Sequence, residues 1–350
     1  MSRFFTGTLS ALKPYTPGEQ PQDMKYVKLN TNESPYAPSD KAKEIAKEHL
    51  RELNLYSDPE GRLVRDKLSE IYGVSAENIV LGNGSDELLF FSFRAFCDEG
   101  MPALFPDITY GFYPVFADIN RVPYEEIPLR EDLSIDISDY ADKKGTVFIA
   151  NPNAPTGRNL GIGEIERLTA SRPDSVVVID EAYVDFGAES AVRLTEKYEN
   201  ILVIQTFSKS RSLAGARIGF AIGSRELVAD LNTIRYSFNP YNINSMTLAM
   251  AYGVLCDEER VRDNCKRIAE NRDYTASRLK ELGFEVTDSK ANFVFARSEA
   301  IDGERLYTGL KEKGVLVRHF TKERIKDYNR ITIGTREETD ILIDRIRELM

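Results

Sequence analysis

The sequence has no tryptophan, only two histidines (His49 and His319) and only three cysteines (Cys97, Cys256 and Cys265). Two histidines so far apart are too few for most histidine-rich metal sites, so metal-assisted hydrolysis drops down the order and no metal ligands are expected. An odd and widely spaced set of cysteines forms neither a disulfide framework nor a CxxC knuckle, which points to a reducing compartment. Apolar runs of membrane-spanning length are missing too. The opening stretch MSRFFTGTLSALKPY has no continuous apolar region followed by a small-residue cleavage site. The expectation is a cytoplasmic protein with no membrane contact. A surplus of positive charge is also lacking, since 46 Lys and Arg stand against 56 Asp and Glu, a net charge of −10. This balance argues against a broad contact with nucleic acid, and any anionic ligand must be held by a few local groups.

What is present is length and pattern. A chain of 350 residues suggests about two domains with ample cores. Between residues 76 and 223, short apolar runs (NIVLGN, PALF, VPYEEIPL, GTVFIAN, SVVVID, NILVIQT and RIGFAIG) alternate with helical stretches. Most are continuous in apolar character, the pattern of strands covered on both faces, and they predict an α/β doubly wound core with a mainly parallel sheet. In such sheets ligands bind outside the carboxyl ends of the strands. The segment SFNPYNIN, residues 237–244, reads as a crossover out of that core. Residues 246–282 read as long helices. FEVTDS, NFVFAR, GVLVRHF and NRITIGT then read as strands of a smaller α+β unit that ends in an amphipathic helix over 337–350. The predicted division is an N-terminal arm (1–32) packing on the small domain, a large domain (33–245) and a small C-terminal domain (246–350).

The residues just after the apolar runs carry the chemistry. In TFSKSRSLAGARIGF, residues 206–220, Lys209 follows a strand directly. A lysine held there, partly desolvated and near cationic groups, is nucleophilic at neutral pH and can form a Schiff base. Thr206, Ser208 and Arg217 offer donors to a phosphate, although alone the segment reads equally well as a solvated basic turn. In SVVVIDEAYVDF the strand ends on Asp180, a carboxylate that is expensive to bury unless paired. A protonated pyridine nitrogen is one such partner, with Tyr183 three residues on placed for a ring hydroxyl; a helix cap or a Walker B ligand are alternatives, the latter disfavoured because no GxxxxGK[ST] occurs. In NIVLGNGSDELLFFSFRAF, Gly84, Ser85 and Asp86 lie at a helix N-terminus, where phosphate is favoured. The asparagines of NPNAPTGRN, residues 151–159, can donate to a ring oxygen. Tyr110 in PDITYGFY can stack on a flat ring or sit in the core. Each segment is ambiguous by itself, but the whole set fits pyridoxal 5'-phosphate and no other cofactor.

The sequence resembles the aspartate aminotransferase superfamily of pyridoxal phosphate enzymes, fold type I, and within it the histidinol-phosphate aminotransferases. The likeness spans nearly the whole chain, through LNTNESPYAP (29–38), NLYSDPEG (54–61), GNGSDELL (82–89), TYGFY (109–113), NPNAPTG (151–157), DEAYVDF (180–186), TFSKSRSLAGARIGF (206–220), GVLVRHF (314–320) and RITIGTREE (330–338). It implies that Lys209 carries the cofactor as an imine, that Asp180 partners the pyridine nitrogen and Tyr183 the ring hydroxyl, and that Tyr110 stacks on the ring. Ser85, Asp86, Thr206, Ser208 and Arg217 would hold the cofactor phosphate. Tyr56 would reach that phosphate from a neighbouring subunit, implying a homodimer with shared active sites. Arg318 and Arg336 resemble the pair that binds the substrate's anionic group, with Tyr15 and Asn32 at the substrate mouth. One position departs from the family: Ala154 stands where an asparagine usually touches the ring oxygen, so either Asn153 takes over through a shifted loop or Tyr183 serves alone. The implied reaction is amino transfer between L-histidinol phosphate and 2-oxoglutarate. The alternatives are an aromatic amino acid aminotransferase or a threonine-phosphate decarboxylase of the same fold, or a non-catalytic regulator that binds the cofactor.

Overall fold

A computed structural model describes residues 2–350. The N-terminal arm contributes strand β1 (Val27–Lys28), and the seven apolar runs become β2 (Ile79–Gly82), β3 (Ala103–Pro106), β4 (Tyr124–Ile127), β5 (Thr146–Ala150), β6 (Val177–Asp180), β7 (Ile201–Thr206) and β8 (Gly219–Ile222). They form one sheet in the order β2-β8-β7-β6-β5-β3-β4. All pairings are parallel except those of β8 with β7 and β2. Only β8 therefore runs against the others. Side chains alternate across the sheet: Ile79, Val147, Ile149, Ile179 and Val203 enter one apolar cluster, and Val80, Phe148, Ala150, Val178 and Ile204 enter the other. Both faces are covered, which is why these strands read as unbroken apolar runs. The exception is β4, the edge strand YEEI, exposed apart from Ile127.

The covering layers are helices α1 (Asp40–His49), α2 (Arg62–Tyr72), α3 (Ser85–Phe96), α4 (Tyr113–Asn120), α5 (Ser138–Ala141), α6 (Ile162–Ala170), α7 (Arg225–Phe238) and α8 (Ser245–Leu255). After them come α9 (Glu258–Glu281), β9 (Phe284–Val286), β10 (Phe293–Ser298), α10 (Gly303–Glu312), β11 (Val315–Leu316), β12 (Arg318–His319), β13 (Asn329–Thr332) and α11 (Arg336–Leu349). An antiparallel sheet β12-β13-β10-β9 carries this second unit. Its core takes in Ile268, Phe293, Leu310 and Ile343.

The expected boundary at residue 245 needs correction. Helix α8 places Ala251, Val254 and Leu255 in the same cluster as Ala42 and Val64 of the large unit. Gly253 lies so close to α1 that a Cβ there would come within 2.5 Å of the Ala42 Cα. Apolar spacing showed that 246–255 is helical but not which core the helix faces. The arm joins the smaller unit: β1 pairs in parallel with β11, Leu29 enters that core, and the Thr332 N–H donates to the Leu29 carbonyl. No helix among the described residues is long and apolar enough to cross a membrane.

Candidate active site

A cavity of about 250 Å³ opens at the carboxyl ends of the large sheet, lined among others by Ser85, Asp86, Tyr110, Asp180, Tyr183 and Lys209. The strands explain the convergence. Asp180 ends β6 and Thr206 ends the neighbouring parallel β7, so Asp180 and the loop carrying Lys209 emerge side by side. Lys209 Nζ donates to the Thr31 carbonyl at 3.2 Å. Burial, with the nearby Arg330 guanidinium second, pulls its amine down to about 8, so a substantial neutral fraction exists near neutrality.

Asp180 is buried, and burial pushes its carboxyl up to about 7, against the opposing hydrogen bond from Tyr113. Tyr113 OH donates to Oδ2 at 3.1 Å and the Ala182 N–H to Oδ1 at 3.3 Å. Tyr113 is the second tyrosine of the TYGFY segment. No local motif marks it as a site residue, because only the fold brings its hydroxyl to Asp180.

An anion cradle lies at one end of the cavity. Helix α3 starts at Ser85 with Gly84 as an N-cap that brings no side-chain bond, leaving first-turn N–H groups free for an anion. Gly84 has φ +82, and a Cβ there would meet Arg217 Nη2 at 2.6 Å. Gly219 of β8 is equally confined, since its Cβ would lie 2.6 Å from the Ser85 nitrogen. Thr206 Oγ1 donates to Ser208 Oγ at 3.0 Å and accepts the Ser208 N–H at 3.1 Å. Arg217 Nη2 and Tyr110 OH both donate to Asp86, at 2.9 and 2.7 Å. The Asp86 carboxylate thus orients an arginine and a tyrosine, while its backbone N–H belongs to the cradle.

A second cavity of about 280 Å³ adjoins the first, sharing Tyr110 and Ala154 and adding Tyr15, Phe320, Arg318 and Arg330. Tyr15 stacks on Phe112 at 4.1 Å between ring centroids. Arg318 Nη1 and Nη2 donate to the carbonyls of Pro17 and Thr16, so the arm forms one wall. Arg330 faces Arg318 across the β12–β13 pairing. Its guanidinium lies over the Phe293 and Phe320 rings, donates to the Asn30 carbonyl at 3.1 Å and keeps a buried Nε without a hydrogen-bond partner.

Three expected site residues, Arg336, Asn153 and Asn32, are placed otherwise. Arg336 is the first residue of α11, and its guanidinium sits 3.5 Å over the Tyr274 ring, lining neither cavity. The arginine of NRITIGTR that lines the second cavity is Arg330, inside the strand. Asn153 is buried, but its amide is spent on the Ile108 carbonyl and the Thr156 and Thr109 hydroxyls. Its neighbour Ala154 lines the cavity instead. Asn32 lies behind Tyr183 rather than at the mouth, donating from Nδ2 to Tyr183 OH at 2.9 Å. Tyr56 is 82% exposed, stacks on Tyr241 and takes no part in its own chain's cavity.

Residues 24–346 match the family model "Aminotransferase class I and II". The chain is 46% identical over 352 residues to a histidinol-phosphate aminotransferase of Brachyspira hyodysenteriae, covering 100% of this chain and 99% of the relative. It is 47% identical to histidinol-phosphate aminotransferase 1 of Bradyrhizobium diazoefficiens, with both chains covered fully. Among solved structures, the histidinol-phosphate aminotransferase of Sinorhizobium meliloti in complex with pyridoxal-5'-phosphate superposes with a TM-score of 0.90 at 22% identity, covering 100% of this chain and 99% of that one. A Thermus thermophilus aspartate aminotransferase variant gives 0.84 at 20% identity, with both chains covered fully. This places the fold with the fold type I transferases that the family resemblance implied. The chain belongs to the class I and II aminotransferase family, in the branch whose curated members are histidinol-phosphate aminotransferases.

Proposed function

We propose that this chain binds pyridoxal phosphate on Lys209 and catalyses amino transfer between L-histidinol phosphate and 2-oxoglutarate, running in histidine biosynthesis from imidazole acetol phosphate and glutamate. One observation carries the reading: a single cavity joins a lysine whose amine is pulled down to about 8 to a buried carboxyl pushed up to about 7. Among the described residues neither forms an ion pair within 4.0 Å. When bound, the cofactor supplies an aldehyde that condenses with primary amines and a pyridinium ring that withdraws electrons from the substrate carbon.

The residues fit that group. Asp180, raised by burial and held by the Tyr113 hydroxyl and the Ala182 N–H, would hold the ring nitrogen and, paired with a ring N–H, would be favoured in its ionised form. The uncapped start of α3, with Ser85, Thr206, Ser208 and Arg217, suits a phosphate. Tyr110 offers a ring face, and Tyr183 a hydroxyl to the ring oxygen. Lys209 Nζ, as a free amine, would be the base that takes the proton from the substrate carbon. Arg318 and Arg330 present forks that suit a phosphate or a carboxylate alike, as needed by a pocket that accepts histidinol phosphate in one half-reaction and glutamate in the other. Tyr56, with Leu53, Leu55 and Leu63, belongs to an exposed apolar surface. A second copy of the chain covering it would carry Tyr56 to its partner's phosphate site, and the active unit is a homodimer.

The test is direct. Protein mixed with pyridoxal phosphate gains a visible absorption band, and borohydride bleaches the band and fixes the added mass on Lys209. Amino transfer from histidinol phosphate to 2-oxoglutarate then follows. Protein that stays colourless sinks the cofactor reading, and carbon dioxide release from phosphothreonine in place of transfer replaces the substrate reading with a decarboxylase.

A further inference from the structure

Ala154 leaves no side chain to share Tyr183's task at the ring oxygen, and the hydrogen bonds behind Tyr183 show what compensates. Asn32 is 1% exposed and has φ +57, a left-handed conformation that asparagine tolerates better than most residues. Its backbone N–H donates to Thr332 Oγ1 at 2.9 Å, and its carbonyl accepts from Asn292 Nδ2 at 2.9 Å. Thr332 Oγ1 in turn donates its proton to Asn32 Oδ1, 3.0 Å away. With its oxygen end engaged there, the Asn32 amide turns its nitrogen end to Tyr183 OH, donating from Nδ2 at 2.9 Å. Tyr183 is therefore an acceptor on the side away from the cavity. Burial holds its phenol protonated, raising it above its ordinary value despite Arg330 and the Asn32 bond. Its one proton remains free for the cavity that Tyr183 lines.

We infer that Asn32 is a positioning residue that commits the Tyr183 hydroxyl proton to the cofactor's ring oxygen, filling the role left open by Ala154, and that Thr332 sets the sense of this relay. The inference rests on the cofactor reading above. Thr332 lies on β13 two residues from Arg330, so the strand that carries the substrate's anion partner also fixes the tyrosine proton. The relay thus joins the arm, the small unit and the large unit at one hydroxyl.

The test uses full-length protein loaded with pyridoxal phosphate and follows the pH midpoint of the visible band. A hydrogen bond donated by Tyr183 favours the ring oxyanion and holds the midpoint low, so losing it moves the midpoint up. Asn32→Gly removes the amide while glycine accepts the left-handed backbone, and Thr332→Val removes the orienting hydroxyl at nearly constant shape. Both should raise the midpoint by roughly half to one pH unit, a three- to tenfold change in the proton equilibrium. Tyr183→Phe should raise it further, and Asn32→Gly combined with Tyr183→Phe should match Tyr183→Phe alone, the non-additivity of groups acting in series. A coloured Asn32→Gly protein with an unchanged midpoint overturns the inference, as does full additivity in the double variant. If Tyr183→Phe shifts the midpoint while Asn32→Gly does not, the cofactor reading stands and only the relay is lost. If the wild-type protein develops no band at all, both fall together.

Discussion

The two halves of the cleft are built in opposite ways. The cofactor half rests on residues that directly follow strands of one sheet: Asp180 at the end of β6, Thr206 at the end of β7 with Ser208 and Lys209 just beyond it, and Ser85 at the start of the helix after β2. The substrate half is assembled from the arm, the loop after β3, and strands β12 and β13, segments separated by as many as 302 positions in the Arg318–Thr16 contact. Parallel strands fix side chains through local geometry, so a motif and its site coincide. Where distant segments meet, only tertiary packing decides which side chain enters.

The sharpest break of this comparison is Lys209→Ala. That amine is both the group that forms the imine and the base that moves the proton, so amino transfer should fall by roughly 10³-fold or more, and borohydride should fix no label on the protein. Retention of label elsewhere would detach the cavity from the chemistry. Next comes Arg330→Ala in the substrate half. Truncating a partly buried charge that meets an anionic partner should lower kcat/KM for histidinol phosphate and for glutamate by roughly 30-fold or more, while the visible band of the bound cofactor stays. A loss confined to one substrate would show that Arg318 and Arg330 divide the two anions between them.

How much of this was legible in the sequence follows the same division. The seven large-sheet runs were legible because strands buried on both faces carry unbroken apolar stretches, and the residue after each run then names itself. Even the exposed edge strand β4 was visible as VPYEEIPL. Arg330 was not legible in that way: in NRITIGTR one arginine lies within a strand and the other opens a helix, and periodicity cannot say which points into a cleft formed with the arm. Asn153 misled for a related reason, since an asparagine in a proline-rich loop has many nearby backbone carbonyls to satisfy, and here Ile108 claims it. Helix α8 was recognised as a helix but given to the wrong core, because helical spacing marks an apolar face without naming its neighbour.

A pH experiment sharpens the electrostatic side of the comparison at a smaller amplitude. In cofactor-free protein Asp180 sits at about 7, above its unfolded value of about 4. The folded state therefore binds more protons between those limits, and stability is lost as pH rises from about 4 to about 7. Glu181, buried beside it and also pushed up to about 7, adds the same sign. Asp180→Asn should flatten part of this slope in urea titrations of the cofactor-free protein and leave the share due to Glu181. An unchanged slope would mean that water or a counter-ion already solvates the Asp180 carboxyl. Adding pyridoxal phosphate to the wild-type protein should also flatten the slope, since a cationic ring partner returns Asp180 to its ionised form.

The smallest expected effect belongs to Arg336→Ala. Its guanidinium covers the Tyr274 ring on the outer face of the small unit, a contact worth about 0.5–1 kcal/mol at an exposed site. Stability should fall by no more than that, and kcat/KM for either substrate should change by less than about 2-fold. Paired with Arg330→Ala, the variant turns a contrast between two arginines six residues apart into a measurement. The strand residue governs substrate binding, while the helix residue only steadies a surface. A large KM increase from Arg336→Ala would mean that α11 moves toward the cleft when substrate binds, and the substrate half would then be assembled only in the closed enzyme.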